Sequence, residues 1–178
     1  VFARPDHGMI TNVGKAHLEG FGGYEGVKKG KGELYDHLRS CGGTAFVMQD
    51  YDYLMEMSKG IQKVVTYGTS EADVTGKLLE SEPFLLLSVD DMEISTQLVG
   101  SYNLPNVLAA VTIGRYFKVP DKKIKQAIEN YSPSNSRSQL IEKNGLRIIL
   151  DAYNANPSSM KAAIENFERV PADDKILV

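Results

Sequence analysis

The chain has 178 residues, 42% of them hydrophobic, and its 23 acidic and 20 basic side chains give a formal net charge of −3. That composition supplies a core and excludes disorder as the main state, while the missing basic excess argues against a general binder of nucleic acid or membrane surfaces. A single cysteine, Cys41, leaves no internal disulfide and suits a reducing cytoplasm, and no apolar run approaches the roughly 20 residues of a membrane span.

Strand-like and helix-like segments alternate along the chain, which predicts the α/β class. Met9 to Val13 reads as a short strand, Tyr24 to Arg39 as a helix, Thr44 to Met48 as a strand, Tyr51 to Met57 as a short helix and Val64 to Tyr67 as a strand. The period then changes. Val74 to Leu79, Phe84 to Val89 and Met92 to Leu98 read as strands joined by short turns, with Asp90-Asp91 as one turn. This predicts a mixed sheet with an antiparallel patch. A helix follows from Asn103 to Phe117, with Asn103 as N-cap, Pro105 in the first turn, and Val107, Ala110, Val111 and Gly114 as its inner face. Another begins at Asp121, with Ile124, Ala127, Ile128 and Tyr131 as its inner stripe and Lys122, Lys123 and Lys125 as a solvated face.

Ser132-Pro133-Ser134-Asn135-Ser136 is the best boundary, since five small or turn-forming residues separate two periodic regions. It divides the chain into 1–132 and 133–178. Strands at Gln139–Glu142 and Leu146–Leu150 flank an Asn144-Gly145 hairpin turn, a helix spans Pro157 to Arg169, and Lys175–Val178 reads as the opening of a buried strand. This tail is expected to be the first strand–helix–strand of a Rossmann-like unit. The chain starts at Val1 rather than Met and stops inside that last strand, so it reads as a piece of a longer protein.

Two features carry chemistry. On the helix from Tyr24, at about 100° per residue from Val27, Leu34, Tyr35 and Leu38 fall within about 80° of Val27 on one side, and Lys31 falls inside the same stripe. A buried ammonium is costly, so Lys31 calls for a carboxylate partner, a deprotonated catalytic amine, or a covalent change that removes its charge, unless it snorkels to the surface. Gly30 and Gly32 leave room around it. Just upstream, Thr11-Asn12 ends a strand, His17-Leu18-Glu19 follows, and Gly20, Gly22, Gly23 and Gly26 lead into the helix. Polar groups at the carboxyl end of a strand beside a glycine-rich helix entry are where α/β proteins place ligands, and His17 is a candidate metal ligand. Gly14-Lys15-Ala16 is not a phosphate loop: Met9 stands where the first glycine belongs and Ala16 lacks a hydroxyl for Mg²⁺.

The string Ile10-Thr11-Asn12-Val13-Gly14-Lys15-Ala16-His17-Leu18-Glu19-Gly20-Phe21-Gly22 resembles a signature of the Mur ligase family. Gly100-Ser101-Tyr102-Asn103-Leu104-Pro105-Asn106-Val107-Leu108-Ala109-Ala110 resembles its G-x-H-N-x-x-N-x-x-A-A motif. Asp151-Ala152-Tyr153-Asn154-Ala155-Asn156-Pro157-Ser158-Ser159-Met160 resembles the third motif in the form of the branch that adds D-Ala-D-Ala. The three stand in the family's order and spacing across essentially the whole chain.

The resemblance implies the later part of a central ATPase domain followed by the start of a Rossmann-like C-terminal domain. It implies a bacterial, cytoplasmic, ATP-dependent amide ligase of peptidoglycan synthesis. Such an enzyme activates the carboxylate of a UDP-N-acetylmuramoyl-tripeptide as an acyl phosphate, which the amine of D-Ala-D-Ala attacks. By the same resemblance Lys31 is the carbamylated lysine that binds Mg²⁺ as a carbamate, and His17 ligates a second Mg²⁺. Asn106 contacts adenine, Arg137 reaches the nucleotide on domain closure, Asp151 contacts the ribose, and Asn154 and Asn156 meet the peptide substrate or nucleotide. Tyr102 departs from the family's frequent His. The family's phosphate loop and a metal-binding glutamate are expected upstream of Val1, so this chain alone is expected not to turn over ATP. The alternatives are a folylpolyglutamate synthase-like or other Mur ligase, and a non-catalytic α/β scaffold.

Overall fold

The computed structural model describes residues 3–14, 18–134 and 139–178. Strands β1 (His7–Met9), β2 (Thr44–Met48), β3 (Lys63–Gly68) and β4 (Val74–Glu80) pair in that order, all parallel. Strands β5 (Phe84–Val89) and β6 (Met92–Val99) add antiparallel pairs, completing a six-stranded mixed sheet. Parallel neighbours normally need a long crossover. The short link from Thr69 to Asp73 suffices because only the last two residues of β3, Tyr67 and Gly68, pair with Val74 and Thr75. Asp73 rivets that step, accepting from the Thr66 amide at 2.8 Å and the Thr66 hydroxyl at 2.9 Å.

Helix α1 (Leu18–Phe21) leads into α2 (Tyr24–Cys41), and α3 (Asp52–Ser58) joins β2 to β3. Every residue of β2 is buried, as its unbroken run Thr-Ala-Phe-Val-Met requires of a strand flanked by neighbours on both edges. A 3-10 turn at Ser101–Asn103 opens α4 (Leu104–Tyr116), which buries Leu104, Val107, Leu108, Ala109, Val111 and Thr112. That burial extends around much of the helix because α4 is packed against β2, β3, β4 and β5 and against α5 (Asp121–Glu129). Arg115 ties this corner together. It grips Asp121 with two bonds at 3.0 and 2.8 Å and Asp90, in the β5–β6 turn, at 2.7 Å.

Several expectations are corrected. The strand read at Met9–Val13 lies earlier, at His7–Met9: Ile10 and Val13 are buried, but outside the ladder. Asn103 precedes α4 without a capping bond from its side chain. Ala110 is exposed, and α5 buries Ile124 while Ala127 and Tyr131 face solvent. Beyond 134, β7 (Gln139–Lys143) and β8 (Leu146–Leu150) form a separate antiparallel hairpin, with Asn144 and Gly145 both at positive φ, 53° and 77°, as a type I′ turn needs. Helix α6 (Pro157–Arg169) follows. The strand expected at Lys175–Val178 is not formed. Ile176 is 82% exposed, because an apolar run becomes a strand only where a ladder partner receives it.

Candidate functional site

Strands β1, β2 and β3 are parallel, so their carboxyl ends open on one rim of the sheet, the usual position for a ligand in an open α/β sheet. Strand β6 runs the same way, since two antiparallel steps from β4 restore the direction. Its end delivers Gly100 and the start of α4 to the same rim.

At the β1 end, the chain leaves the ladder after Met9 and runs through Ile10, Thr11, Asn12 and Val13. Lys31, two turns into α2, donates from Nζ to the Asn12 carbonyl at 2.7 Å. Lys31 is exposed. The expectation of a buried amine is therefore corrected: the Cα lies on the inner stripe, but the long side chain carries its ammonium out to a carbonyl at the rim. Gly30 does not make room for Lys31 either. A Cβ there would come within 2.9 Å of the Phe21 ring, so its missing side chain lets α1 lie against α2. Gly26 serves the same crossing, where a Cβ would strike the Phe21 carbonyl. His17, the imidazole expected beside Lys31, lies outside the described residues.

Beneath the same segment stand three tyrosines, of which sequence reasoning placed only Tyr35 on an inward face and gave none a role. Tyr53 of α3 accepts the Val13 amide proton at 3.1 Å. Tyr67 of β3 turns its hydroxyl to Met9 Sδ at 3.4 Å. Tyr35 of α2 is 1% exposed, with its hydroxyl beside the Ile10 backbone and no completed hydrogen bond among the described residues. Burial pushes the Tyr35 phenol up to about 12 and raises Tyr53 and Tyr67 as well, so all three remain neutral hydroxyls across the physiological range. For Tyr53 the available sequence signal was the Tyr51-x-Tyr53 pair, whose rings stack at 5.6 Å.

At the β6 end, Asn106 lies exposed in the first turn of α4 and donates from Nδ2 to Asn103 Oδ1 at 3.1 Å, while Asn103 donates to the Val99 carbonyl at 2.9 Å. The two asparagines thus hold each other at the rim. Between them and the β2–β3 ends lies a cleft of about 350 Å³, lined by Asp50, Tyr51, Thr69 and Tyr102 and by Asn166 and Arg169 of α6. Asp50 is fixed there by the Thr69 amide and hydroxyl, the latter at 2.9 Å.

The residues of the third motif are dispersed by comparison. Asp151 is half-buried just past β8, and Asn154 is exposed. Asn156 is the N-cap of α6: its side chain accepts from the Ser158 and Ser159 amides at 3.1 and 3.0 Å, and the Ser159 hydroxyl answers the Asn156 amide in a full capping box. Arg137 lies outside the described residues. For a divalent cation, the described residues contain no group of three acidic, imidazole or thiol side chains. An ammonium at Lys31 repels such an ion; only a Lys31 converted to an anionic carbamate would suit a hard cation. Among the described residues no helix is long and apolar enough to cross a membrane.

The Mur ligase middle domain matches residues 1–114. The UDP-N-acetylmuramoyl-tripeptide–D-alanyl-D-alanine ligase of Bacillus subtilis is 30% identical over 169 residues, covering 92% of this chain and 36% of that protein. A UDP-N-acetylmuramate–L-alanine ligase of Desulforamulus reducens is 31% identical over 175 residues, covering 90% of this chain and 37% of its own length. Among solved structures, MurF from Acinetobacter baumannii superposes with a TM-score of 0.82 at 28% identity, over 94% of this chain and 38% of that one. The MurF ligase of Thermotoga maritima in complex with ADP gives 0.78 at 25% identity, over 95% of this chain and 40% of the other. The chain therefore spans well under half the length of the relatives it matches.

Proposed function

The chain belongs to the Mur ligase family, and from this we propose that it is part of an ATP-dependent ligase of peptidoglycan precursor synthesis that adds D-Ala-D-Ala to UDP-N-acetylmuramoyl-tripeptide in the bacterial cytoplasm. In this reading residues 1–132 are the later part of the central ATPase domain, and 133–178 begin the C-terminal Rossmann-like domain. The observation that carries it is the meeting of Lys31 with the Asn12 carbonyl, at the end of a parallel strand and at the head of the segment leading to His17. The D-Ala-D-Ala branch is favoured by Tyr153-Asn154-Ala155-Asn156-Pro157, and by several relatives of that description.

Activating a carboxylate with ATP brings anions together, so the site must supply positive charge and alignment. Lys31, once carbamylated, and His17 would hold Mg²⁺, which would neutralise phosphate charge. Asn106 would receive adenine, Arg137 would reach the phosphates and Asp151 the ribose. Asn154 would meet the peptide or nucleotide, with Asn156 at the end of the same loop. Placing Arg137 and Asp151 beyond the boundary makes their arrival depend on domain closure, which excludes the water that would hydrolyse an acyl phosphate.

The test is ATP hydrolysis by the product of the complete reading frame. The rate should require both UDP-N-acetylmuramoyl-tripeptide and D-Ala-D-Ala. A rate indifferent to either substrate removes this reading in favour of another Mur or folylpolyglutamate synthase-type ligase, and no hydrolysis at all favours a scaffold. The 178-residue chain, which contains no phosphate loop, should be inactive by itself.

A further inference from the structure

The segment from Ile10 to Val13 has left the sheet, so no ladder holds it. Its backbone is held by side chains from other elements instead. Lys31 takes the Asn12 carbonyl from one helix, and Tyr53 takes the Val13 amide from another. Val13 is 7% exposed, so without Tyr53 its amide would have little access to water in compensation. Tyr67, at Met9 Sδ, and the buried Tyr35 ring, beside Ile10, form the floor on which the segment lies.

We propose that Tyr53 is a positioning residue: its hydroxyl fixes the Val13 amide and thereby sets the register in which the Asn12 carbonyl meets Lys31 and the chain continues towards His17. The clamp itself is read from geometry alone. Its consequence for catalysis rests on the ligase reading given above.

Phenylalanine would fill the space of the Tyr53 ring and remove only the acceptor. Tyr51, stacked on Tyr53 with rings 11° from parallel, makes no hydrogen bond to the segment and is the control. In the 178-residue chain, Tyr53→Phe should speed hydrogen exchange of the Val13 amide by about tenfold, read by NMR, whereas Tyr51→Phe should leave it unchanged. In the complete ligase, Tyr53→Phe should lower kcat by about tenfold and leave KM for D-Ala-D-Ala within about twofold, because the reacting groups rather than amine binding are displaced. Unchanged Val13 exchange in Tyr53→Phe overturns the proposal. Faster exchange with unchanged kcat also overturns it, since the bond would then be merely structural. If the unsubstituted ligase is inactive, the ligase reading fails, and Val13 exchange alone decides the clamp.

Discussion

Replacing Tyr35 by phenylalanine should stabilise the protein. The Tyr35 ring is in the core, yet its hydroxyl completes no hydrogen bond among the described residues. Burying an unsatisfied hydroxyl costs about 1–3 kcal/mol, and deleting one oxygen at a ring edge forfeits only about 0.5–1 kcal/mol of contact, so the variant should gain about 1–2 kcal/mol at pH 7. The gain should widen in alkali. Burial, reinforced by Tyr53 and opposed by the Ile10 backbone, raises the phenol to about 12 in the folded chain, against an ordinary value of 10.0. The folded state thus keeps its proton longer than the unfolded chain does. This contribution is fully present below pH 10 and is lost as pH rises towards 12, with about 1.4 kcal/mol gone by pH 11. The phenylalanine variant has no such loss. Urea titrations at pH 7 and pH 11 should show a higher midpoint for Tyr35→Phe at both, an unchanged slope, and a larger gap at pH 11. A variant less stable than the parent at pH 7 would mean that the hydroxyl has a partner. A gap that stays constant between the two pH values would mean that burial does not raise its ionisation.

Three further outcomes follow from single contacts. Asn156→Ala removes both capping bonds from α6 and should cost about 1 kcal/mol, seen as a lower thermal midpoint, with Asn156→Asp retaining most of the stability. Gly100→Ala forces a side chain onto a φ of 90° and into Tyr102, with Asn166 at 3.0 Å, and should cost about 1–3 kcal/mol in chemical denaturation. The bonds from Arg115 hold the Asp121 carboxyl below the usual carboxylate range, so its contribution is present above the unfolded value of 3.8 and is lost as pH falls through the lower folded value. Asp121→Asn should therefore flatten the acid limb of the stability profile, by about 0.5 kcal/mol for so exposed a pair.

How far the sequence could be read depended on what its periodicity reports. Thr44–Met48, Phe84–Val89, Leu146–Leu150 and Pro157–Arg169 were legible to the residue, since each is bounded by turn or cap residues. The Asn144-Gly145 turn was legible for the same local reason. Periodicity reports burial, however, and not pairing. Ile10 and Val13 are as buried as strand residues, but they are covered by helices, so the strand was read too late in the chain. Lys175–Val178 shows the converse: its apolar residues are suited to a ladder, and among the described residues no partner strand accepts them. The helical projection placed the Lys31 Cα correctly and said nothing of where a four-carbon stem ends. Tyr53 was illegible because its partner is the Val13 amide, forty positions away, and a backbone group leaves no mark in the side-chain pattern.

The meeting of Lys31 with Asn12 follows from how α2 lies on β1. A Cβ on Gly8 would come within 3.0 Å of Leu34 and Leu38, so the bare glycine allows the helix to lie directly on the strand. From there the two run in opposite directions in matched steps: Leu38 stands at Gly8, Tyr35 at Ile10, and Lys31 at Asn12. The helical steps, of three and then four residues, advance about 4.5 and 6 Å against about 6.6 Å for each two extended residues, so roughly one turn of the helix accompanies each alternate residue of the strand. The lysine that reaches the rim is thus the next residue in a register already fixed by core packing. Its ammonium can be exposed and still be placed, because the aim is set by Leu38 and Tyr35 and only the last reach by the flexible stem. Inserting one residue between Lys31 and Tyr35 would turn the amine by about 100° away from Asn12 while leaving the core contacts of Leu38 intact.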